Sequence, residues 1–151
     1  MLKKVLTIIT VFIVLATCAC GCSCTSVKPT GELQSVTEIA KLKSSGITKI
    51  IFYDQSVGMK PFPVDNKKKI DEFIESLDQC KIERKTTPRD SVGWMQQAVF
   101  YSNDDKVSVI TFGNPIVIDG VDYNGIENCF GSYEIDLFLK TIDSSWKKNN
   151  E

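Results

Sequence analysis

The chain has 151 residues, which suits one modest domain. Its 42% hydrophobic and 25% charged residues give an ordinary globular balance, and 18 basic against 19 acidic side chains leave a net charge of -1, which argues against a phosphate-covering surface and a nucleic-acid partner. Histidine is absent, which removes His-dependent nucleophile systems, His-ligated zinc and the usual general base near neutral pH.

In chain order, Lys3 and Lys4 come first, followed by an uncharged apolar run over residues 5–16 (VLTIITVFIVLA). A spanning helix needs about 20 apolar residues, so this run has the length and flanks of a signal-peptide core instead. It ends in Thr17-Cys18-Ala19-Cys20-Gly21-Cys22-Ser23-Cys24. This segment resembles a bacterial lipoprotein precursor: basic start, apolar core, small residues, then cysteine. The resemblance covers about the first 24 residues. It implies that the cysteine after the small residues becomes the lipidated first residue of a mature, membrane-anchored protein on the extracytoplasmic face. Ala19 before Cys20 fits that pattern best. Cys18 is the second choice, because Leu15 and Ala16 suit it but Thr17 does not. Cys22 follows Gly21 but lies far from the apolar core. On this reading residues 1–19 are the signal peptide, and loss of Lys3 and Lys4 leaves the mature chain more acidic.

Residues 20–34 read as a flexible tether, small and polar with no apolar period. The domain proper is expected over 35–146. Ser35-Val36-Thr37-Glu38 fits a capping box and opens a helix predicted over 36–44, with Gly46 as its stop. Residues 47–53 (ITKIIFY) are β-branched and aromatic and favour a strand. Residues 59–64 can return as a second, edge strand, since Pro61 and Pro63 cannot donate to a ladder. Asp65 is the expected cap of the next helix, whose Ile70, Phe73, Ile74 and Leu77 form one apolar stripe. Short strands follow at 81–85, 94–102, 107–112, 116–118 and 121–123, joined by turns at Asn103-Asp104-Asp105, Gly113-Asn114 and Asp119-Gly120, the last a strong hairpin signal. A final helix opens near Ser132 with Ile135, Phe138, Leu139, Ile142 and Trp146 as its stripe, and residues 147–151 are expected to fray. The fold class expected is α+β: two layers, an antiparallel β-meander with helices packed on one face.

The chemistry-bearing candidates are few. Cys80 and Cys129 form a disulfide candidate outside the cytoplasm, with two buried thiols as the plain alternative. After acylation Cys22 and Cys24 remain, too few thiolates for structural zinc, so no metal and no cofactor are expected. Ser144-Ser145-Trp146-Lys147 matches S-x-x-K but lacks its companion elements. Asp119, Asp122, Asn124 and Glu127 suggest a calcium loop, yet Gly125 at its sixth position puts Gly120 where a ligand is required. Lys67-Lys68-Lys69 opens a helix against its dipole, which suits either a solvated face or an anionic headgroup. Trp94, Met95, Phe100, Tyr101 and Tyr123 are candidates for a binding surface or for core.

The expected function is therefore a monomeric, lipid-anchored, extracytoplasmic, non-catalytic domain that binds a protein, peptide or envelope component. An envelope hydrolase, or an inhibitor of one, is the alternative. Such an enzyme would have to work through a carboxylate pair or a lysine.

Overall fold

A computed structural model describes residues 32–43, 45–86 and 96–147. The predicted start of the strand at Trp94 and Met95, the tail beyond Lys147 and everything before Glu32 lie outside the described residues. Eight strands form one sheet: β1 (Gln34–Ser35), β2 (Lys49–Asp54), β3 (Phe62–Val64), β4 (Lys81–Arg84), β5 (Gln96–Ser102), β6 (Asp105–Phe112), β7 (Ile116–Ile118) and β8 (Val121–Glu127). Their spatial order is β1-β4-β8-β7-β6-β5-β2-β3, with every neighbouring pair antiparallel. Among the described residues three α-helices accompany them: α1 (Val36–Ile39), α2 (Lys67–Gln79) and α3 (Ser132–Lys140). The fold is the expected α+β arrangement with an antiparallel meander, β5 through β8, at its centre.

The helices form where the sequence caps and stripes them, with corrections at their ends. Ser35 Oγ accepts from the Glu38 amide at 3.2 Å, as the capping box requires. α1 nevertheless stops at Ile39 instead of reaching 44. Lys41 turns left-handed (φ 56°), its amide donates to Glu38 O at 3.3 Å, and the Leu42 amide donates to Thr37 O at 3.0 Å. That paired closure ends the helix and drives Leu42 into the core. α2 is capped by Asn66, whose Oδ1 accepts from the Lys69 amide at 3.2 Å, and not by Asp65. At α3 the cap is Gly131, whose amide donates to Glu134 Oε2 at 2.8 Å, so Ser132 is already inside the helix.

Two domain limits also move. Gln34, assigned to the tether, pairs with Ile82 in edge strand β1, so the ordered chain begins before Ser35. Lys147, assigned to a fraying tail, is held by two carboxylates, and the 147–151 boundary starts one residue too early.

One core cluster unites the sheet with all three helices. Alternation in β2 buries Ile50, Phe52 and Asp54, while β6 buries Ser108, Ile110 and Phe112. Val36 from α1, Ile70, Phe73 and Leu77 from α2, and Ile135 and Leu139 from α3 pack on that face. Phe73 is its hub: its ring lies 4.6 Å from Phe138, 5.1 Å from Phe52 and 5.7 Å from Phe130. The opposite face carries the alternate residues. There Ile51, Val99 and Val109 stand side by side across three strands.

Candidate functional site

The lipidation candidates Cys20 and Cys18, with Cys22 and Cys24, lie outside the described residues. Cys80 and Cys129 are joined in a disulfide with their Cα atoms 4.4 Å apart. Cys80 follows α2 and precedes β4, while Cys129 follows β8. The bridge passes over β8 at Gly125, where an added Cβ would lie 3.2 Å from Cys129 Cβ and 3.4 Å from its Sγ. A side chain there would have to displace the bridge or the strand.

Other candidates resolve into structural roles. Lys67 pairs with Asp71, Lys69 with Glu72 at 2.8 Å and Lys68 with Glu72 at 4.0 Å, so the basic run is spent along α2's own exposed face. Asp119 accepts from the Val109 amide at 2.8 Å and from Ser108 Oγ at 2.9 Å, and it turns with Gly120 at positive φ. This is the two-residue hairpin the sequence predicts, not a calcium loop. Phe100 and Tyr123 belong to the core, and Tyr101 lies on the open face under Lys49, whose Nζ is 5.0 Å from its ring. Trp94 and Met95 lie outside the described residues. Among the described residues no group of three or more His, Cys, Asp or Glu side chains is placed to hold a metal, and no helix is long and apolar enough to cross a membrane.

The most elaborate polar feature was not legible as a motif. Asp54 at the end of β2 is 2% exposed. Its Oδ1 accepts from the Ser56 amide at 2.7 Å and Ser56 Oγ at 2.6 Å, while Oδ2 accepts from Gln96 Nε2 at 2.6 Å and Lys147 Nζ at 2.7 Å. Asp136 on α3 shares two of these donors, Gln96 Nε2 at 2.8 Å and Lys147 Nζ at 2.8 Å, and also accepts from Trp146 Nε1 at 2.9 Å. Burial pushes the Asp54 carboxyl up, but the hydrogen bonds from Lys147, Ser56 and Gln96 outweigh it and leave the pKa below the ordinary value. Burial likewise pushes Lys147 down, and the two aspartates more than reverse it. The Asp54 carboxylate is therefore held in its ionised form, and the Lys147 ammonium lies between it and Asp136. Gln96 Oε1, also buried, has no hydrogen-bond partner among the described residues.

Beside this network lies an open depression of about 270 Å³ lined by Val57, Phe62, Trp146, Lys147 and their neighbours. A second of about 360 Å³ involves Ser35, Thr37, Lys43 and Asp78. Lys43 Nζ binds Asp78 at 2.6 Å and the Thr37 hydroxyl donates to the same carboxylate, which lowers its pKa to about 2. Here too the carboxylate is spent on an internal tie, between the α1 region and α2. Neither Asp54 nor Asp136 lines the first depression, so the converging pair is not presented to it.

The open sheet face differs in kind. Ile51, Val109 and Val117 are half-buried, Val99 at its centre is 7% exposed, and Tyr53 and Tyr101 flank the row. Among the described residues no helix lies over its apolar side chains, since α1, α2 and α3 contribute to the opposite core.

No protein-family model matches this chain, and neither do the curated proteins or the solved structures.

Proposed function

We propose that the chain is a lipid-anchored, extracytoplasmic, non-catalytic binding module for a protein, peptide or envelope component. The observation that carries the binding role is the open sheet face, where Ile51, Val99 and Val109 form an apolar row between Tyr53 and Tyr101. Aromatic side chains beside aliphatic ones on a rigid sheet give area and shape at low ordering cost. The carboxylates of Asp54, Asp136 and Asp78 are engaged by Lys147 and Lys43 in the fold's own ties. The anchor is supported by the lysine–apolar–cysteine order of residues 1–24. The Cys80–Cys129 bridge supports an oxidising compartment, since such bonds persist outside the cytoplasm.

A photo-reactive side chain placed at Tyr53 or Val109 in the native host tests the surface. The expected result is a discrete cross-linked adduct at both positions and none at Glu75, on the exposed side of α2. Equal labelling at all three, or an adduct at Glu75 alone, would reject the open face as the binding surface.

A further inference from the structure

We propose that the Cys80–Cys129 bridge is a redox gate on this fold: open while the chain is reduced, closed once a disulfide-bearing oxidant outside the cytoplasm has acted. The proposal rests on the export reading above. Its own basis is where the bond sits. The Cys80 carbonyl accepts from the Val36 amide at 3.2 Å, and its amide donates to Leu77 O at 3.2 Å, so Cys80 stands where α1, α2 and β4 meet. Cys129 stands between β8 and Gly131, the cap of α3. One covalent bond thus joins the roots of all three helices.

The bond also closes a long-range step of the sheet, from the meander back to β4. β4 precedes β5 in the chain yet pairs with β8, the last strand, so five of the eight strands lie inside the loop the bridge closes. The β4–β8 ladder shifts register between Lys81 and Ile82, next to Cys80, which weakens pairing where closure is needed. In the reduced chain this closure must be held by a four-residue strand and a shifted ladder. In the oxidised chain the 49-residue separation is fixed covalently, and the unfolded ensemble loses that freedom.

Closing the gate is a dithiol exchange. Cys80 is 1% exposed and Cys129 half-buried, so exchange enters through Cys129. The Cys129 thiolate attacks one sulfur of the oxidant's disulfide and forms a mixed disulfide. The Cys80 thiolate then attacks the Cys129 sulfur. Two electrons pass from the cysteine pair to the oxidant, which leaves as a dithiol with the two protons.

The test uses the full chain purified from membranes in detergent, unfolded in urea with and without dithiothreitol and followed by circular dichroism. A loop of this size should raise the unfolded-to-folded ratio about a thousandfold on reduction. A variant carrying both Cys80→Ala and Cys129→Ala should start at the lower midpoint and ignore the reductant. That control separates the bridge from the cysteines of residues 18–24. An unchanged midpoint in the unsubstituted chain would overturn the gate, as would unbridged Cys80 and Cys129 thiols in peptides of the membrane-purified protein. Mass spectra of the same sample report acylation. An acylated chain indifferent to reductant overturns the gate alone, whereas an unacylated chain that responds to reductant overturns only the anchor.

Discussion

Lys147 holds together two carboxylates far apart in sequence, and the cost of losing it follows from their burial. Asp54 is nearly inaccessible and keeps its charge because Lys147, Ser56 and Gln96 offset its lost hydration. Lys147→Met should leave an uncompensated buried charge. Because the Lys147 and Asp136 side chains retain 20% and 23% exposure, the full penalty of a buried broken pair is reduced to about 2–3 kcal/mol. Urea denaturation at pH 7 measures it. The pH dependence has a definite sign: the folded-state pKa of Asp54 lies below the ordinary aspartate value of 3.8, so its contribution is present above that value and fades as the pH falls through the folded value. The stability gap between the unsubstituted chain and Lys147→Met should therefore narrow below about pH 4, and a gap constant from pH 7 to 3 would contradict the ion triad. None of this site was readable from sequence. Gln96 is 42 positions from Asp54 and 40 from Asp136, and no local spacing announces such a meeting. The S-x-x-K match did single out Lys147, but as a serine's activator and not as the partner of Asp54 and Asp136.

At the scale of the element, α2 is where sequence and structure agree most closely, because a thirteen-residue helix repeats its apolar stripe often enough to be unambiguous. Ile70, Phe73 and Leu77 are buried as the stripe predicts, and Phe73 touches rings from β2, α3 and the segment before α3. Phe73→Ala should cost about 3–5 kcal/mol through lost burial and the cavity left behind, while Glu75→Ala on the exposed side should change stability by no more than about 0.5 kcal/mol. Paired urea melts decide it, and equal midpoints would mean that α2 does not cover the sheet. Short elements were less legible for the same physical reason. β1 has two residues and no period, and its existence depends on Ile82 and Lys81 lying alongside. The caps at Asn66 and Gly131 competed with the chemically suitable neighbours Asp65 and Ser132, and only backbone geometry separates them.

For the whole molecule, tight turns made the β5–β8 meander readable, whereas the placement of β4 against β8 and of the β2–β3 hairpin against β5 depends on distant pairings that no window of sequence contains. The resulting sheet has its two edges at β1 and β3. β1 is also where the chain arrives from the proposed anchor. The 14 residue steps from Cys20 to Gln34 span at most about 50 Å when extended, so an acylated Cys20 would keep the β1 edge within that distance of the lipid surface. The three lysines of α2 are paired with only two carboxylates, Asp71 and Glu72, which leaves one net positive charge there, so in the proposed anchoring the acyl chains would supply most of the attachment. Membrane fractionation followed by mass spectrometry of the N-terminal peptide checks this. The expected outcome is a chain recovered with membranes, released by detergent and not by high salt, and starting at an acylated Cys20. Acylation at Cys18 would move the site by two residues and keep the anchor. Release by salt alone, or a soluble mature chain with an unmodified N-terminus, would show that electrostatics or nothing holds it, and the lipoprotein reading of residues 1–24 would fall.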